Sequence, residues 1–253
     1  MTVALQGVTL RRGGRAILDS LDLAITSGRL TCLVGPNGSG KSTAVRIMAG
    51  VLVADAGTVT IDGRPAGDLA PGDRARRVGY LPQDFTSHWD LTVRALLALG
   101  MGRGQAVGWL PGRTPDLAPP PALIADFDLE TLLDRRLSTL SGGERARAAC
   151  AAVLAGRPQA FLADEPTASL DIGHQIALMR LLRRLAADHA ALVVVHDLNL
   201  ALRFADDMVV LDRGKAAFTG PPSGLLQTDI LDRVFGVRFH RLDGPDGVVL
   251  SAG

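Results

Sequence analysis

Gly35-Pro36-Asn37-Gly38-Ser39-Gly40-Lys41-Ser42-Thr43 is the stretch on which the fold turns. It fits G-x-x-x-x-G-K-[ST], and it sits between the apolar run Leu30-Thr31-Cys32-Leu33-Val34 and a helix-like segment from Thr43 to Met48. In that setting the three glycines let the backbone curl so that successive N–H groups point inward. The start of the following helix adds its partial positive charge. Such a loop cradles phosphates: Lys41 reaches the β- and γ-phosphates of a nucleotide, and the Ser42 hydroxyl is placed to ligate Mg²⁺.

Two further apolar runs have strand character, Ala160-Phe161-Leu162-Ala163 and Ala191-Leu192-Val193-Val194-Val195, with a helix-like segment around Ile176 to Ala187 between them. Continuous apolar runs alternating with helices predict a parallel sheet covered on both faces, an α/β class. In open parallel sheets ligands bind beyond the carboxyl ends of the strands. Gly35 to Ser42, Asp164-Glu165 and His196 follow three such ends and are expected to converge on one site. MgATP chemistry needs one carboxylate for the metal's hydration shell and another to activate water, which assigns Asp164 to Mg²⁺ and Glu165 to general base. A neutral His196 donates to the γ-phosphate and polarises the water. Gln83, after the strand-like run ending at Leu81-Pro82, is placed for contact with Mg²⁺ or with the lytic water.

Upstream, Val3 to Ile25 reads as two strands joined by the turn Arg12-Gly13-Gly14-Arg15, and Thr58 to Ile61 as another strand closed by Asp62-Gly63. These make a small antiparallel β lobe. Downstream, Leu91 to Leu99 carries helical spacing, Gly100 to Pro121 is rich in Gly and Pro, and Ala122 to Leu137 reads as a second helix, with Leu123, Phe127, Leu129, Leu132 and Leu133 as core candidates. Residues 84–137 are thus expected to form a helical lobe inserted into a core of 1–83 and 138–253. Leu225 to Phe235 reads as an amphipathic helix, and Gly236 to Leu250 as a strand pair turning at Asp243-Gly244 or Asp246-Gly247.

Leu140-Ser141-Gly142-Gly143-Glu144 supports two compatible readings. Ser141 and Glu144 make an S-x-x-E capping box for a helix from Arg145 to Ala155. The same helix start, with free N–H groups, is an anion site to offer to a second molecule's ATP.

Composition adds limits. The chain has 253 residues and a formal charge of +1, so no global field draws it to nucleic acid or to an anionic membrane. Cys32 and Cys150 lie in apolar stretches without metal-like spacing, which reads as buried thiols in a reducing compartment. No apolar run is long enough to span a bilayer, so a membrane role is expected to come through a partner.

The order of these motifs resembles an ABC transporter ATPase subunit along essentially the whole chain. Gly35 to Thr43 is similar to the Walker A motif, Gln83 to the Q-loop, Leu140 to Glu144 to the signature motif, and Phe161 to Glu165 to the Walker B motif with its catalytic glutamate. Ser169-Leu170-Asp171 is similar to the D-loop and His196 to the switch histidine. His196 to Ala201 with Phe204-Ala205-Asp206, and Leu91-Thr92-Val93 with Leu99-Gly100, look most like the ATPases of iron-siderophore, haem and vitamin B12 importers. A zinc/manganese-type importer or an exporter is the alternative within transport.

The resemblance implies a RecA-like P-loop core with ATP and Mg²⁺ as cofactors. It implies a head-to-tail homodimer in which Ser141, Gly142, Gly143 and Asp171 of one subunit meet the nucleotide of the other. It also implies permease subunits docked along Gln83 to about Leu99, a periplasmic binding protein, and a place at the cytoplasmic face of the inner membrane. DNA-acting relatives carry long heptad-patterned insertions, whereas Pro111, Pro115 and Pro119 to Pro121 interrupt the segment here. Two departures from the family pattern concern the nucleotide. Glu144 stands where the family usually has Gln, placing a carboxylate near the interface nucleotide. No aromatic precedes Lys41 to stack on adenine; Arg12, at the expected place, either stacks its guanidinium on the base or is a charged turn residue.

Overall fold

The structure, a computed structural model, describes residues 1–85, 89–103, 118–244 and 247–253. It opens with β1 (Thr2–Arg12), β2 (Arg15–Thr26) and β3 (Arg29–Val34), then α1 (Lys41–Met48), β4 (Ala56–Ile61), β5 (Arg64–Pro65), α2 (Pro71–Arg77) and β6 (Val78–Leu81). Next come α3 (Val93–Met101), α4 (Pro121–Asp126), α5 (Gly142–Ala155), β7 (Ala160–Asp164), α6 (Ile172–Leu185), β8 (Ala190–Val194) and α7 (Leu198–Phe204). The chain continues through β9 (Asp207–Asp212), β10 (Lys215–Gly220), α8 (Pro222–Leu226), α9 (Ile230–Phe235), β11 (Phe239–Gly244) and β12 (Gly247–Ala252).

The main sheet has the order β10-β9-β3-β8-β7-β6. All its pairs are parallel except β10 on β9. Its strands read as unbroken apolar runs because both faces are covered. On β8, Ala191 and Val193 enter one core with α5 and α6 residues, while Ala190, Leu192 and Val194 enter the other with α1 and the β lobe. That lobe is the antiparallel sheet β2-β1-β4-β5. Its first hairpin closes with Arg12 opposite Arg15, and Gly13 and Gly14 at φ 55° and 79° supply the two positive-φ positions of a two-residue turn.

Three expectations change. The second helix of the inserted segment does not run to Leu137; α4 stops at Asp126, and Asp128 takes a left-handed backbone at φ 52°. Beyond it the backbone makes local turns, such as Leu132 N–H to the Leu129 carbonyl at 2.9 Å, and also bonds to the start of α3: Val93 and Arg94 N–H groups donate to Arg135 and Leu133 carbonyls at 3.1 and 2.8 Å, and Leu137 N–H to Leu91 at 2.9 Å. Phe127, Leu129 and Leu132 are nonetheless buried, held by turns rather than a helix face. Next, Leu225 to Phe235 is two short helices. Thr228 Oγ1 donates to the Leu225 carbonyl at 2.8 Å and accepts from Ile230 N–H at 3.4 Å, and these local bonds replace helical ones.

Third, Gly100 and Met101 belong to α3 despite their place at the head of the Gly/Pro-rich stretch. A Cβ on Gly100 would lie 1.9 Å from the Ala152 carbonyl oxygen, so this glycine lets α3 close on α5. Residues 104–117, the middle of that stretch, lie outside the described residues, as does Asp246 of the second candidate turn between β11 and β12. Among the described residues no helix is long and apolar enough to cross a membrane.

Candidate active site at the strand tips

The loop after β3 is shaped by glycines that nothing else can replace. Gly35 sits at φ 151°, where a Cβ would approach the Leu211 carbonyl oxygen to 2.2 Å. Gly40, at φ 105°, is the N-cap of α1, and a Cβ there would meet Leu18 and the Ile17 carbonyl at 2.7 and 2.8 Å. As a result α1 has no side-chain cap, and its first-turn donors have no side-chain acceptor. Lys41 folds back over the loop, with Nζ donating to the Gly35 and Pro36 carbonyl oxygens at 2.8 and 3.1 Å. Burial lowers the Lys41 pKa, opposed by the nearby Glu165 and Asp164 carboxylates.

Asp164 ends β7 with no solvent exposure. Ser42 Oγ donates to its Oδ1 at 3.1 Å, while Oδ2 is buried without a hydrogen-bond partner. Burial pushes the Asp164 carboxyl above the usual range, with the Ser42 hydroxyl opposing. A buried carboxylate oxygen without a donor, beside a hydroxyl, fits a magnesium ion that completes its shell with water and phosphate oxygens. Among the described residues no group of three or more His, Cys, Asp or Glu side chains could hold a metal ion.

Glu165 follows at φ 55°, a left-handed backbone uncommon for a non-glycine residue. Its carboxylate is shared between two other strand tips. Gln83 Nε2, beyond β6, donates to Oε2 at 2.7 Å, and His196 Nε2, beyond β8, lies 2.5 Å from Oε1. Thus Lys41, Ser42, Gln83, Asp164, Glu165 and His196 come together from four strands. The strand order explains this, since β3, β8, β7 and β6 are consecutive neighbours in the sheet.

The signature turn lies on a separate surface, in a cleft of about 430 Å³ that includes Ser141, Gly142, Gly143 and Asp171 and none of the phosphate-loop residues. Ser141 Oγ accepts from Glu144 N–H at 3.2 Å, and Glu144 Oε2 accepts from Ser141 N–H at 2.7 Å, so the capping box is closed. The helix it caps begins at Gly142, three residues earlier than the expected Arg145. Ser169 Oγ donates to the Gly142 carbonyl at 3.3 Å, and Asp171 caps α6 by accepting from His174 N–H at 2.9 Å. Arg12 is exposed at the first hairpin, 3.7 Å from Asp55 and donating to the Arg11 carbonyl at 2.8 Å.

Sequence patterning did not single out Asn199. Its side chain bonds the backbone of Leu250 in both directions, at 3.1 and 2.7 Å, fastening β12 to the helix that begins just after His196. A polar residue one position inside a helix start was the only signal.

A model of the ABC transporter family matches residues 18–168. The chain is 44% identical to the hemin import ATP-binding protein HmuV of Nocardia farcinica, over 97% of this chain and 86% of that protein. It is 41% identical to the protein of the same name from Rhodococcus jostii, over 97% and 83%. Among solved structures, the dimeric post-hydrolysis state of the ATP-binding cassette MJ0796 bound to ADP and Pi superposes with a TM-score of 0.74 at 28% identity, covering 87% of this chain and 98% of that one.

Proposed function

The chain belongs to the ABC transporter family, and from that premise we propose that it is the ATP-hydrolysing motor subunit of a bacterial importer whose cargo is hemin or a related iron complex. The observation that carries the hydrolytic part is the Glu165 carboxylate, at the tip of β7 beside Asp164 and within hydrogen-bond reach of Gln83 and His196. The importer part rests on the two hemin import relatives.

In this proposal Lys41 leaves its own loop carbonyls for the β- and γ-phosphates, and the uncapped first turn of α1 supplies N–H donors to the same oxygens. Ser42 and Asp164 would hold magnesium, with Gln83 beside it, and the ion would supply charge neutralisation on the phosphates. Glu165 takes the proton of the attacking water, and His196 orients that water against the γ-phosphate. Two copies close head to tail so that Ser141, Gly142, Gly143 and Asp171 of each face the nucleotide of the other. Closure drives permease subunits docked along Gln83 to about Leu99, and a periplasmic binding protein delivers the cargo. The subunit then works at the cytoplasmic face of the inner membrane. Arg12, exposed at the first hairpin, either stacks on the adenine in place of an aromatic or stays the charged turn residue that faces Asp55.

Glu165→Gln removes the base while keeping the shape and the hydrogen bond to Gln83. Steady-state phosphate release should fall at least about 100-fold with ATP binding retained. Wild-type turnover in this variant would overturn the assignment.

A further inference from the structure

The signature turn carries a charge that its capping role does not require. A capping box closes with Glu or Gln at its third helical position, because either side-chain oxygen accepts the N-cap N–H. The two differ toward a phosphate. A glutamine also has two N–H donors, whereas an ionised carboxylate has only acceptors and repels an anion. Here Glu144 is held ionised, its pKa lowered first by the Ser141 N–H. It shares its cleft with a second acid, Asp171, along with Arg147 and His174.

Arg135 supplies the counterweight. Its Nη1 lies 3.3 Å from Glu144 Oε1, and its Nη2 donates to the Thr139 carbonyl at 2.5 Å. The Arg135 backbone carbonyl in turn accepts from Val93 N–H at 3.1 Å, so this cation is tied to the first residue of α3. Glu144 and Arg135 are both partly exposed, so their pairing is screened by water and offsets the charge incompletely.

We propose that Glu144 is a positioning residue that weakens closure of the dimer on ATP: its carboxylate places a negative charge beside the surface where the partner's nucleotide phosphate docks, and Arg135 moderates that charge. The inference rests on the head-to-tail dimer of the proposed function. It makes Glu144→Gln a gain-of-closure variant, in contrast with the loss expected from removing a cap.

The test uses the full chain in a Glu165→Gln background, with dimer mass followed by sedimentation velocity during ATP titration. Glu144→Gln should lower the ATP concentration for half-maximal dimerisation by about fivefold at low salt, and the gap should close as salt rises because the effect is a screened charge. Arg135→Gln should raise that concentration about threefold when Glu144 is present and leave it unchanged when Gln stands at 144. Binding of a fluorescent ATP analogue to dilute monomer should be the same in all variants. Equal or weaker dimerisation of Glu144→Gln, or an Arg135→Gln effect that persists without Glu144, overturns the inference and leaves the dimer standing. If ATP binds yet no variant dimerises, the head-to-tail dimer itself fails and takes the inference with it.

Discussion

The two glycine-rich helix starts of this chain are built in opposite ways. At α1 the N-cap is Gly40, left-handed at φ 105° with no side-chain cap. At α5 the N-cap is Ser141, extended, with both bonds of a capping box closed. A bare helix start leaves its first-turn N–H groups to a ligand, and here Lys41 folds over the loop beside it while Ser42 bonds Asp164 at the end of β7. A capped one is stable alone and offers only what the cap leaves over. On the proposed function, the difference puts nucleotide affinity at α1, while α5, already capped in the single subunit, would become a binding surface only when a second nucleotide site is brought to it.

That contrast breaks most directly at Lys41. Lys41→Ala removes the cation at the bare helix start, and ATP affinity measured by calorimetric titration should fall by about 2 to 5 kcal/mol, the cost of deleting a charged hydrogen-bond partner. ATP binding left intact would mean that α1 is not the seat of affinity. Gly40→Ala forces a Cβ against Leu18 and the Ile17 carbonyl at a left-handed position. Denaturant unfolding should show a loss of about 2 to 3 kcal/mol, together with loss of ATP binding.

Ser141→Ala sharpens the comparison from the other side. It should cost only about 1 kcal/mol of stability and leave monomer ATP affinity unchanged, because within its own subunit Ser141 caps a helix and does not touch the phosphate loop. The smallest effect concerns pH. Asp164 is raised above the usual carboxyl value of 3.8 by burial, so the native state keeps a proton that the unfolded chain has already released. Its contribution to stability is full below that value and is lost as pH rises through the raised native pKa. In nucleotide-free protein, Asp164→Asn should therefore flatten the decline of Tm across that range, and a parallel curve for the variant would contradict it.

Much of this was legible in the sequence because the deciding features are local. The phosphate loop, the apolar strands β3, β7 and β8, and the S-x-x-E box each announce themselves within about ten residues. What escaped depends on tertiary context. β9 follows Asp206 without a break, and only pairing against β3 makes Asp207–Asp212 a strand of the main sheet. Phe127, Leu129 and Leu132 have helical spacing, yet the segment runs in turns, and from Leu133 to Leu137 its backbone also bonds to Leu91, Val93 and Arg94, far away in sequence. The left-handed backbone of Glu165 had no sequence signal, since a glutamate does not ordinarily favour that conformation.

Glu165 also bears on how the subunit behaves when idle. Both oxygens of its carboxylate are engaged, one by Gln83 and one by His196, on loops from different strands. A hydrogen bond to the ionised carboxylate favours that form and makes it a weaker base, so on the proposed assignment the two contacts restrain Glu165 in the resting molecule. On that assignment, letting go of Gln83 and of His196 would each make Glu165 a stronger acceptor for the proton of water.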